Sequence, residues 1–138
     1  DFKILASDID TNVLEFASRR VYENDQVKEV PHEFGGRYVL RVENGKNEFQ
    51  ITDNIRKKII FRQINMLSDP LLFQIPIDIL FCRNALIYFS PEDARYIVTR
   101  FKDVLHPQGR LFLGHSEGLI AVDTGFRPVA STVYELRR

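Results

Sequence analysis

Short apolar runs alternate with polar breaks along this chain, and the spacing inside each run separates strands from helices. "FKILAS", residues 2–7, predicts a short, largely buried strand closed by Asp8. Asp10 then predicts the N-cap of a helix over about 11–21, where Val13, Leu14, Ala17 and Val21 recur at helical spacing. Residues 22–36 show no clear period and read as connection. Two β-rich runs, about 37–43 and 47–52, flank Asn44-Gly45, a dipeptide that supplies the positive φ of a tight hairpin turn. "DNIRKK" predicts one helical turn capped by Asp53. "IIFRQI", 59–64, predicts a strand with Asn65 at its end.

The second half is more strongly patterned. "IDILFCR", 77–83, is apolar on both faces, which predicts a parallel strand covered on both sides. "SPEDARYIVTRFKDVL", 90–105, carries the clearest helix: Ser90 as cap, Pro91 in the first helical position, and Glu92 and Asp93 in the first turn. Ala94, Ile97, Val98, Phe101, Val104 and Leu105 fall on one apolar face, and "HPQG", 106–109, ends it. "RLFLGHS", 110–116, predicts a fifth strand. The tail, with Thr132, Val133 and Tyr134, predicts one or two antiparallel strands. Alternation of strand and helix predicts an α/β fold around a mostly parallel sheet, with the 37–52 hairpin as an insertion.

Composition narrows the function. At 138 residues and 44% hydrophobic content the chain suits one compact domain. Lys plus Arg balance Asp plus Glu at 19 each, so no overall basic footprint points to nucleic acid. No apolar run approaches the roughly 20 residues of a membrane span, and no signal peptide is expected before the first strand. Cys82 is the single cysteine, so no intrachain disulfide is expected, and a reducing, cytoplasmic setting is the simplest reading.

In an open parallel sheet, ligands bind at the carboxyl ends of the strands. The polar residues predicted there are Asp8; Asn65 with Met66; Arg83 and Asn84, with Tyr88 one helical turn later; and His115, Ser116 and Glu117. Each has an ordinary structural alternative. Asp8 or Asn65 can brace a turn, Arg83 can pair with a carboxylate, and Tyr88 can be a core aromatic with its hydroxyl at the surface. A carboxylate ending an early strand also suits ribose, because it can accept hydrogen bonds from both hydroxyls. No GxGxxG or P-loop occurs. His115 reads equally as a satisfied strand-end histidine. His32 and His106 lie in connections, and the three histidines share no metal-ligand spacing, so no metal site is assigned. Cys82 reads as an inert buried thiol, with a reactive thiol activated by Arg83 as the lesser alternative.

Taken together, "ILASDIDTNVLEFA", "FRQINML", "DILFCRNALIYF", "RFKDVLHPQGRLFLGHSEGL" and the terminal "STVYEL" resemble, in order, the CheR-type chemotaxis receptor methyltransferases. The resemblance implies a Rossmann-like class I methyltransferase sheet with an antiparallel C-terminal strand and a small inserted β-subdomain. It implies methyl transfer from S-adenosylmethionine, leaving S-adenosylhomocysteine, to glutamates in the cytoplasmic domain of methyl-accepting chemoreceptors. By the family pattern Asp8 holds the ribose, Asn65 and Met66 lie near the adenine, Arg83 and Asn84 form the "RN" pair, and Tyr88 stands near the reaction centre. The hairpin at 37–52 takes the place of the receptor-docking subdomain and is short. The family's N-terminal helical domain, first strand and Gly-containing cofactor loop precede residue 1. The 138 residues are therefore expected to be a fragment, or to receive the missing strand from another chain, with a truncated, inactive module as the third possibility. The alternative in a different class is a non-catalytic module that keeps the methyltransferase outline and binds a partner protein or nucleotide.

Overall fold

The computed structural model describes residues 2–19, 21–28, 30, 33–43 and 46–137. Two compact units, Asp1–Asn65 and Met66–Arg138, make up the chain.

The first unit is built on β1 (Ile4–Asp8), which pairs in parallel with β5 (Ile59–Gln63), Ile4 opposite Ile59 and Asp8 opposite Gln63. Asp10 caps α1 (Thr11–Ser18) as expected, its side chain accepting from the amide of Asn12. The helix ends earlier than its periodicity suggests. Val21 and Tyr22 instead enter a short strand, β2 (Val21–Glu23), followed by α2 (Asn24–Val27), inside what reads as connection in the sequence. Pairing with a distant strand decides this: β2 lies antiparallel to β4 (Glu48–Ile51), which also pairs with β3 (Val39–Arg41). The hairpin is thus two arms of a three-stranded sheet in the order β2-β4-β3. Its Asn44-Gly45 turn, like His32, lies outside the described residues. One helical turn, α3 (Asp53–Arg56), leads into β5, but its N-cap is Thr52, not Asp53. Thr52 has extended backbone, whereas Asp53 is already helical and places its carboxylate in the first turn, where the helix dipole favours it.

The buried hydrophobic cluster among the described residues lies in the second unit. β6 (Ile77–Cys82) runs parallel to β7 (Leu105–Leu113). Beyond it β9 (Val133–Leu136) and β8 (Phe126–Ala130) run antiparallel, giving the order β6-β7-β9-β8. α4 (Pro91–Val104) is capped by the Ser90 hydroxyl, which accepts from the Asp93 amide at 3.1 Å. It buries Ile97, Val98 and Phe101 in one cluster with Cys82, Leu111, Leu113 and Phe126. A further helix, α5 (Gly118–Asp123), adds Ala121.

Two expectations for this unit change. β7 begins at Leu105, before "HPQG", rather than at Arg110. Leu105 pairs with Ile77 and Arg110 with Ile79, so residues 106–109 are accommodated by a register shift within the strand. β6 is not covered on both faces either. Cys82 points into the core, while Ile79 and Phe81 on the opposite face are 56% and 68% exposed. The core of this unit lies on one side of its sheet, and on the other side Phe81 stacks on Phe112 at 4.6 Å.

Candidate cofactor site

Asp8 ends β1 beside the end of β5, and the Ile64 amide donates to the Asp8 carbonyl at 3.0 Å. Asp8 and Asn65 therefore stand at the same carboxyl edge of the two-stranded sheet. The Gln63 side-chain amide donates to the carbonyl of Ile9 at 2.9 Å and ties the turn after β1 to that edge. Half-buried Asp8 uses Oδ1 to accept the Asp10 amide at 2.9 Å. Among the described residues its Oδ2 accepts no hydrogen bond. One oxygen of Asp8 thus braces the turn, and the other has no partner among the described residues. A carboxylate so arranged at a strand end fits a vicinal diol.

In the second unit the edge is built from β6 and β7, whose last residues Cys82 and Leu113 are paired. Arg83, Asn84 and Tyr88 belong to one turn after β6 and are all exposed, Tyr88 at 83%. Tyr88 closes a 3₁₀ turn, Leu86–Tyr88, and is not a core aromatic; Leu86 is the buried member, at 2%. Asn84 has φ 58°, the left-handed region that Asn tolerates better than most residues. Arg83 makes no ion pair among the described residues, which leaves its guanidinium for an anion. Met66 differs from the others. Its side chain packs, partly buried, against the core of this unit, and its carbonyl and that of Asp69 accept from the Arg100 guanidinium. His115 and Ser116, exposed in the 3₁₀ turn His115–Glu117, follow β7.

Glu117, named in the sequence only as one of several strand-end groups, has the largest structural role among them. It is 1% exposed, and its carboxylate accepts three backbone amides: Gly114 at 2.5 Å and Asn84 at 3.2 Å on Oε2, Leu86 at 2.9 Å on Oε1. Glycine at 114 leaves room for this: a Cβ there would stand 2.6 Å from Asn84 Oδ1 and 2.8 Å from Glu117 Oε2, so these side chains would have to shift. The sequence signal was a lone acidic residue between a glycine and the apolar run "LIAV". Cys82 lies beneath this network. Burial, and secondly the negative charge of Glu117, push its thiol pKa up to about 12. The inert reading therefore holds, and activation of the thiol by Arg83 does not.

The fold is an α/β one, with parallel strand pairs that present polar groups at their carboxyl ends and antiparallel strands at the C-terminus. Residues 1–135 match the family model described as "CheR methyltransferase, SAM binding domain", and the chain belongs to that family. S-adenosylmethionine is the cofactor after which the family's domain is described. Among relatives, "Chemotaxis protein methyltransferase 2" of Pseudomonas aeruginosa is 36% identical over 134 residues, covering 96% of this chain and 48% of the relative. "Chemotaxis protein methyltransferase" of Escherichia coli (strain K12) is 34% identical over 139 residues, 99% of this chain and 48% of the relative. "Probable biofilm formation methyltransferase WspC" of Pseudomonas aeruginosa is 33% identical over 129 residues, covering 93% and 30%. The chain spans about half the length of the first two relatives. Among the described residues no helix is long and apolar enough to cross a membrane.

Proposed function

We propose that this chain is the cofactor-binding part of a protein-glutamate O-methyltransferase acting in the cytoplasm on the cytoplasmic domain of methyl-accepting chemoreceptors. On this reading the two units are parts of one catalytic domain, with the β-subdomain inserted. The observation that carries it is the family match over residues 1–135 together with Asp8, a strand-end carboxylate that keeps one oxygen available.

The chemistry asks little of the protein beyond placement. Bound S-adenosylmethionine supplies an electrophilic methyl group on a cationic sulfur. The accepting glutamate, with a reference pKa of about 4.3, is already anionic at neutral pH and needs no strong base. Because opposite charges cancel in the displacement, a site that excludes water favours it. Alignment of the reacting atoms can contribute about 7–11 kcal/mol. Asp8 accepts hydrogen bonds from the ribose hydroxyls, and Asn65 and Met66 border the adenine. Asn84 serves the cofactor, and Arg83 orients a carboxylate, that of the substrate glutamate or that of the cofactor. Tyr88 positions groups near the methyl by hydrogen bonding. The ester product is neutral, so each transfer removes one negative charge from a receptor helix and changes repulsion between neighbouring side chains there.

Calorimetry of the full-length protein with S-adenosylhomocysteine, followed by transfer of labelled methyl to a receptor cytoplasmic domain, tests this. Binding together with label in base-labile glutamyl esters is the expected result. If the full-length protein binds neither S-adenosylmethionine nor its product, the enzyme reading is overturned in favour of a non-catalytic module.

A further inference from the structure

We propose that Glu117 is a positioning residue whose buried carboxylate holds the Arg83–Tyr88 turn in the shape that presents Arg83, Asn84 and Tyr88 to the cofactor and substrate. This rests on the methyltransferase reading. A carboxylate taken out of water is costly unless its charge is met, and replacing buried ions by apolar groups is often neutral or stabilising. Here, among the described residues, no cation pairs with Glu117. Its charge is met by the amides of Gly114, Asn84 and Leu86 alone. Two of those three donors lie in the turn, more than thirty residues earlier in the chain.

What the clamp holds is a conformation that sequence alone does not favour. Asn84 sits at φ 58°, and a non-glycine residue there persists where its surroundings impose it. The Asn84 amide is bonded to Oε2 and the Leu86 amide to Oε1, so the carboxylate grips the strained residue and the next but one. Leu86 is the buried nail of the turn, while Arg83, Asn84 and Tyr88 face outward. Both carboxylate oxygens are needed as acceptors. A glutamine in this place offers only one, and its NH₂ group opposes an amide donor with another donor.

Glu117→Gln in the full-length protein therefore separates shape from chemistry. In a folded variant, amide hydrogen exchange at Asn84 or Leu86 is expected to speed up about tenfold or more, while Ile97 and Val98 in α4 keep their protection. S-adenosylhomocysteine binding is expected to weaken about tenfold, the equivalent of one charged hydrogen bond, and kcat to fall more than the receptor KM rises. Unchanged exchange and unchanged affinity overturn the clamp. So does a uniform rise in exchange across the unit with affinity intact, the signature of a merely structural residue. If Glu117→Gln does not fold, the wild type decides: the Asn84 amide is expected to be protected although Asn84 is exposed, and exchange there at the open-chain rate overturns the proposal. Failure of the wild type to bind S-adenosylhomocysteine is a separate result. It overturns the methyltransferase reading and the purpose given to the clamp with it.

Discussion

Asp8 and Glu117 have comparable addresses in the chain: each is a carboxylate at the carboxyl end of an apolar strand of a parallel pair, Asp8 as the last residue of β1 and Glu117 in the turn after β7. Their surroundings part them. Asp8 is half-buried and commits one oxygen to a local amide. Glu117 is sealed from solvent and commits both oxygens to amides, two of which belong to a distant turn. The difference teaches how a carboxylate proposed for recognition differs from an architectural one. The first keeps an oxygen without a partner among the described residues, and the second has committed both oxygens to the protein's own backbone. The units around them match these roles. Among the described residues the buried cluster lies wholly in the second unit, beneath the turn that Glu117 holds.

The largest effect expected is on the scaffold of the second unit. Phe126 is fully buried in its core, and Phe126→Ala is expected to cost about 3–5 kcal/mol in urea unfolding. Phe16 of α1, 45% exposed, should cost far less when truncated, and equal losses would break the contrast between the units. Next comes Asp8, the carboxylate proposed to hold the ribose. Asp8→Asn in the full-length protein should leave stability within about 0.5 kcal/mol yet weaken S-adenosylhomocysteine binding by about 1.5–3 kcal/mol. A loss of stability with affinity intact would make Asp8 a brace of its own turn and not a ligand-binding group. Comparable in size is Gly114→Ala, whose new methyl group pushes against Asn84 Oδ1 and Glu117 Oε2; about 1–3 kcal/mol of lost stability is expected. A neutral outcome would mean that the network yields easily and does not fix the turn.

What was legible beforehand was what local chemistry decides. Ser90, Pro91 and the apolar face from Ala94 to Leu105 write α4 into the sequence, and the structure gives Pro91–Val104, with Leu105 already in β7. The strands ending at Asp8 and Cys82 follow from their apolar runs. β2 was not legible because Val21 fits the helical period, Tyr22 opens an aperiodic stretch, and both take strand geometry only through β4, some thirty residues away. α5 was missed because it has six residues and no side-chain cap, and it is held by tertiary packing: a Cβ at Gly118 would lie 2.3 Å from the Tyr134 hydroxyl. The exposure of Ile79 and Phe81 shows the limit of an apolar run, which reports hydrophobicity and not which face is covered. For the site, the strand-end residues were readable as candidates. The role of Glu117 was not, because it depends on amides contributed by residues 84 and 86.

The smallest expected effect concerns pH and tests whether the charge of Glu117 is sensed inside the core. The Cys82 thiol is raised from an ordinary 9.0 to about 12, first by burial and then by Glu117. An acid whose folded pKa is raised stays protonated in the native state while the unfolded chain begins to ionise. The unfolded state then binds fewer protons, and stability falls as pH rises. The contribution is complete below pH 9.0, declines above it, and is gone once pH passes about 12. Urea unfolding from pH 7 to 10.5 should therefore show a loss of stability on the alkaline side that Cys82→Ala lacks, with no difference in slope between the two near neutrality. Glu117→Gln removes the second cause and leaves the first, so its alkaline decline should be shallower than the wild type's without vanishing. Parallel curves for wild type and Glu117→Gln would show that the three amides already neutralise the carboxylate as seen from the thiol, and that burial alone sets its pKa.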